Sequence, residues 1–136
     1  MKLLLVDDDV LVCSAIARPL IRLGHASRTE TSAASALALL DAEAPNAVVT
    51  DLDLGPGSDD GIALITELRR RGYARPIVLM TGSDLDEARA RLGRAGLDDV
   101  PLLAKPFELD ELLRALGVAV APPTPSRGVR TIAPTF

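Results

Sequence analysis

Several short apolar runs in this 136-residue chain end abruptly in side chains suited to chemistry. Leu3 to Val6 runs into Asp7, Asp8 and Asp9, and Ala47 to Thr50 runs into Asp51, with Asp53 two residues on. Ile77 to Met80 is followed by Thr81, and Leu102 to Ala104 by Lys105. Taken alone, Asp51 reads equally well as a turn residue, since Gly55, Pro56 and Gly57 follow it and Asp favours turns for local hydrogen-bonding reasons. The other run ends change the balance. Carboxylates brought together repel and raise one another's pKa unless a cation sits among them. Oxygen ligands without His or Cys select a hard ion such as Mg²⁺, with Mn²⁺ as the substitute. Such a site, beside a hydroxyl and an ammonium, suits a phosphoryl group: Mg²⁺ and Lys105 would neutralise its oxygens, Thr81 would hydrogen-bond one, and Asp51 could attack phosphorus in line.

That chemistry requires the run ends to lie together, and the intervening segments supply the means. Val12, Ile16, Leu20 and Leu23 recur at helical spacing before Gly24, with Pro19 expected to kink that helix. Ala26 to Glu30 is a short edge-strand candidate, and Thr31 or Ser32 can cap an alanine-rich helix reaching about Ala42. Ile62, Leu64, Ile65 and Leu68 predict a third helix ending near Arg71, capped by Asp59 or Asp60. Asp84 with Glu87 resembles a capping box before the stripe Leu85, Ala88, Leu92 and Ala95. Leu109, Leu112, Leu113 and Leu116 predict a closing helix. Strict alternation of five strands and five helices implies an α/β fold, a doubly wound parallel sheet with helices on both faces. In such a sheet the C-terminal ends of the strands share one edge, where ligands bind.

Composition sets the bounds. Hydrophobic residues at 48% and charged residues at 25% are globular values. A net charge of −4 argues against direct nucleic-acid binding, which draws its affinity from Lys and Arg. Cys13 alone cannot form an internal disulfide or a cysteine-based zinc site. No membrane-spanning run or secretory signal is present, so the cytoplasm is the expected compartment. Residues 1–118 read as one folded domain and 119–136 as a Pro-rich tail or linker stub, with Pro122, Pro123, Pro125 and Pro134 excluding a regular helix.

The set LLLVDDD, VVTDLDLGPG, VLMTGS and LLAKPF, in this order, closely resembles the receiver domain of two-component response regulators, from about Lys2 to Val118. The resemblance implies a flavodoxin-like fold with strand order 2-1-3-4-5. It implies that Asp51 accepts a phosphoryl group from a phosphohistidine on a sensor histidine kinase or a histidine phosphotransfer protein. Asp8 would bind Mg²⁺ directly, Asp7 partly through water, and Asp51 and the backbone carbonyl of Asp53 would be further ligands. Thr81 and Lys105 would contact the phosphoryl group, with Pro106 following a cis peptide bond. The protein would then be a signalling domain, catalysing only its own phosphorylation and dephosphorylation. A switch of conformation would act through protein contacts on a downstream target that the sequence does not name.

The chain departs from that pattern in three places, one of them a slightly long connection from Gly96 to Pro101. The loop between Asp51 and Gly61 is longer than usual by about two residues, with Gly55 where Met often precedes the proline, and Leu102 replaces a switching aromatic residue. Arg69 to Arg71 and Arg89, Arg91 and Arg94 read as solvated helix faces. The second set, opposite Asp110 and Glu111, offers a basis for a phosphorylation-dependent homodimer. Cys13 reads as a small helix residue and His25 as a turn residue. Two alternatives carry different functions. Asp51-Leu52-Asp53 also resembles the DxD signature of haloacid-dehalogenase-like phosphatases, but Asp98 and Asp99 precede Lys105, where that family's acidic pair follows its Lys. A phosphorylation-independent interaction module would not require the complete set of acids, Thr and Lys.

Overall fold

In the computed structural model, residues 1–118 are described, and the expected Pro-rich tail lies outside them. The elements are β1 (Lys2–Val6), α1 (Val10–Arg22), β2 (Ala26–Glu30), α2 (Ala33–Ala42), β3 (Ala47–Asp51), α3 (Gly61–Arg70), β4 (Ile77–Thr81), α4 (Leu85–Arg94), β5 (Leu102–Ala104) and α5 (Leu109–Ala115). All strand pairs are parallel, in the order β2-β1-β3-β4-β5. The expected flavodoxin-like arrangement is therefore present.

Strand composition explains that order. β3 and β4 are buried at every residue and β1 at all but Lys2, because a central parallel strand is covered on both faces and needs apolar side chains on each. Polar β2 (ASRTE) and the three-residue β5 are only partly covered, as suits edge positions. Alternation along the strands divides the core in two. Leu3, Leu5, Ala47, Val49, Val78 and Met80 pack with Cys13 and Leu20 of α1 and Leu112 of α5. Leu4, Val6, Val48, Ile77 and Leu79 face α2, α3 and α4 through Ala36, Leu64, Ile65, Ala88 and Leu92.

Helix starts are set by local side chains, which satisfy amides that have no partner within the helix. Asp9 accepts from Leu11 N at 3.0 Å, Ser32 from Ser35 N at 3.1 Å, and Asp60 from Ala63 N at 2.9 Å. Asp84 caps α4 through Asp86 N at 2.8 Å, whereas the reciprocal Glu contact expected there is found at α5, where Glu108 N donates to Glu111 Oε1 at 2.9 Å. α1 continues through Pro19 to Arg22, so the proline falls in its last turn and does not end the helix.

Candidate functional site

Register brings the strand ends into line. Val6 pairs with Thr50, Asp51 with Met80, and Thr81 with Ala104, so Asp7, Asp51, Thr81 and Lys105 all emerge at the same edge of the sheet. Three acids meet there: one carboxylate oxygen from each of Asp7, Asp8 and Asp51 lies within 4.8 Å of the others. Asp7 and Asp51 are buried and Asp8 is exposed, which leaves the cluster open on one side.

Lys105 completes it. Its Nζ lies 3.1 Å from Asp7 Oδ2 and 3.3 Å from Asp51 Oδ1, and its own amide donates to Thr81 O at 2.8 Å, which anchors the lysine to the end of β4. The Lys105–Pro106 peptide is cis, as expected. Burial alone would lower the lysine's pKa, but the hydrogen bond to Asp7 and the charges of Asp51 and Asp7 outweigh it and hold the ammonium above its usual value.

The Asp51 carboxyl is pushed up from 3.8 to about 6. Desolvation is the leading cause and the adjacent Asp7 charge the next, with Lys105 and the Leu52 amide opposing both. Two buried carboxylates sharing one ammonium are thus short of positive charge. That deficit, with an all-oxygen donor set and an open side at Asp8, fits a hard divalent cation.

The remaining expected residues are placed differently from one another. Thr81 is buried beside the cluster, but its hydroxyl accepts from Ser83 N at 3.2 Å and pairs with Ser83 Oγ at 3.2 Å. Asp53 lies outside the carboxylate group; its side chain accepts from Gly55 N at 3.0 Å. That leaves its carboxylate engaged in a local turn, away from the role of general acid that the DxD alternative requires.

Sequence reasoning missed two close contacts in the long loop. Gly55 has φ of +83°, and a Cβ there would stand 2.7 Å from Asp8 Oδ2. At Gly61 a Cβ would stand 2.2 Å from the Asp51 carbonyl oxygen, and the Gly61 amide donates to Leu52 O at 2.8 Å. A glycine at the first position of a helix, where its flexibility is otherwise a cost, was the available signal.

The comparisons with known proteins agree with this geometry. The family model for the response regulator receiver domain matches residues 3–117. The transcriptional regulatory protein PmrA of Pectobacterium parmentieri is 38% identical over 112 residues, covering 82% of this chain and 49% of that protein. Response regulator MprA of Mycobacterium avium is 32% identical over 136 residues, covering 100% of this chain and 58% of that protein. The chain thus spans about half the length of these curated relatives. Among solved structures, the receiver domain of NtrX from Brucella abortus aligns with a TM-score of 0.72 at 34% identity, covering 86% of this chain and 99% of that one. A response regulator from Burkholderia pseudomallei, solved with a phosphorylated aspartic acid, a calcium ion and citrate, aligns with a TM-score of 0.74 at 31% identity, covering 85% of this chain and 65% of that one. On the span of the family match and the agreement of fold, this chain belongs to the response regulator receiver domains of two-component systems.

Proposed function

We propose that Asp51 is the phosphoacceptor of this domain, taking its phosphoryl group from a histidine kinase or histidine phosphotransfer protein. The observation that carries this reading is the single cluster in which Lys105 joins Asp7 and Asp51, with Asp8 at its open side. An Asp51 Oδ atom attacks phosphorus, the phosphorus–nitrogen bond of the phosphohistidine breaks, and the imidazole departs with the electron pair. Asp7, Asp8 and Asp51, with the backbone carbonyl of Asp53, would hold the cation. When bound, Mg²⁺ supplies positive charge to the phosphoryl oxygens that Lys105 alone leaves incompletely neutralised. Lys105 stays within reach of the acceptor and holds a further oxygen, while Thr81, once its hydroxyl leaves Ser83, bonds another.

The new dianion then shifts the balance between two arrangements of the loops around α4 and β5, and the altered face is read by a protein partner. This assigns residues 1–118 to signalling by protein contact in the cytoplasm, with no catalysis beyond gain and loss of its own phosphoryl group. Direct nucleic-acid binding is not part of the proposal.

The test is incubation with Mg²⁺ and acetyl phosphate followed by intact-mass measurement. Wild type is expected to gain one phosphate and Asp51→Asn none. An unmodified wild type, under conditions that label a control receiver, would overturn the assignment. Sustained turnover of a phosphomonoester would instead favour a phosphatase.

A further inference from the structure

Two side chains in the second half of the loop after β3 fasten it to neighbouring helices. Ser58 Oγ accepts from Ala33 N at 3.1 Å, at the first residue of α2. Asp60 divides its two oxygens: Oδ1 caps α3 through Ala63 N, and Oδ2 forms an ion pair with the guanidinium of Arg91 on α4. Both side chains of that pair are about two-thirds withdrawn from solvent, at 36% and 35% exposed, so it is less screened than the peripheral pair of Arg94 with Glu87, at 67% and 64%.

Position makes this pair consequential. Asp60 is bonded in sequence to Gly61, whose amide holds Leu52 O and whose α-carbon rests against the Asp51 carbonyl with no room for even a methyl group. A shift of Asp60 therefore moves Gly61 directly against the backbone of the acceptor. In the other direction, Asp60 moves with Arg91 and α4. A covalent and hydrogen-bonded path thus runs from α4 through Arg91, Asp60 and Gly61 to Asp51, independent of Thr81. It does not pass through β5, where Leu102 is a half-buried aliphatic residue packed into the core on the α2–α4 side.

We propose that Arg91 is a positioning residue: through Asp60 it holds the loop after β3 closed against Asp51, and so sets the lifetime of the phosphoryl group there and couples that group to α4. The proposal rests on Asp51 being the acceptor. Loss of the phosphoryl group is attack of a water oxygen on phosphorus, with cleavage of the phosphorus–oxygen bond to Asp51, release of its carboxylate and departure of inorganic phosphate. A closed loop limits the approach of that water.

Arg91→Gln, Asp60→Asn and the double variant test this in the full chain. Asn retains an oxygen to cap α3, so both single variants remove the ion pair and spare the helix start. The first readout needs no phosphate. Amide hydrogen exchange at Gly61 and Leu52 is expected to rise about fivefold or more in each single variant, and no further in the double variant. Arg69→Gln, which removes the pair with Asp99 at the far end of α3, is expected to leave those amides unchanged. The thermal midpoint should fall by only about 1–3 °C in any of them. The second readout follows labelling with acetyl phosphate and Mg²⁺ and removal of the donor: the half-life of the phosphorylated form is expected to fall roughly three- to tenfold, equally in the single and double variants. Exchange and lifetime within twofold of wild type in both single variants would overturn the proposal, as would effects that simply add in the double variant. If wild type takes up no phosphate, the acceptor assignment fails, and the exchange measurement alone decides whether Arg91 holds the loop.

Discussion

Burial and the neighbouring Asp7 charge raise the Asp51 carboxyl to about 6, and this has a consequence for stability that can be measured without phosphate. Because its folded-state pKa lies above the usual 3.8, the native state binds more protons than the unfolded chain between about pH 4 and pH 6. Stability from this group therefore falls as pH rises through that window, and the full penalty is present above about 6. In metal-free buffer, Asp51→Asn is expected to be more stable than wild type at pH 7.5, by up to about 3 kcal/mol. The gap should close towards pH 4. A gap that is constant with pH in denaturant titrations would show that Asp51 ionises normally. Cys13, by contrast, is a buried thiol raised to about 11 by desolvation first and then Asp7, which agrees with its reading as a small helix residue.

At the scale of elements, the two glycines of the β3–α3 loop differ in what they oppose. An added Cβ at Gly55 meets the end of a flexible side chain, the Asp8 carboxylate at 2.7 Å, whereas at Gly61 it meets backbone, the Asp51 oxygen at 2.2 Å. Gly55→Ala is thus expected to cost about 1–2 kcal/mol for its left-handed backbone and to weaken Mg²⁺ binding roughly tenfold by displacing Asp8. Gly61→Ala should instead cost about 2–4 kcal/mol, since strand and helix must move apart. Calorimetric Mg²⁺ titration together with thermal melts separates the two; equal effects on both quantities in both variants would count against this distinction. The helices and strands themselves were legible to within a residue or two, because apolar runs and helical stripes follow the same faces that the core buries. The loop between them was not, since its path depends on contacts with Asp8, α2 and α4 that no local pattern encodes.

For the molecule as a whole, a homodimer formed on phosphorylation would draw on the basic face of α4 and the acids that open α5. The fold leaves only part of that face free, because Arg91 is engaged by Asp60, while Arg89 is exposed and Arg94 is only weakly held by Glu87 at 3.7 Å. Sedimentation velocity is expected to show a rise in mass when acetyl phosphate and Mg²⁺ are added, and Arg89→Glu should abolish it by placing like charge opposite Asp110 and Glu111. A wild type that carries phosphate yet sediments as a monomer would overturn the homodimer expected from the charges of α4 and α5.

The sequence by itself determined the doubly wound sheet, its central strands and the row of chemical groups at its edge. Runs such as LLLV and AVVT suit strands buried on both faces, strict alternation with helices makes the sheet parallel, and each run ends in a group that burial cannot tolerate without a partner. Only the tertiary structure decided how those groups pair. It placed Lys105 between Asp7 and Asp51, turned the Thr81 hydroxyl to Ser83, and took Arg91 from a solvated face to the side chain of Asp60. Periodicity specifies which face a residue lies on. The reach of a long side chain, and the path of a glycine-containing loop, are set by what stands across the gap.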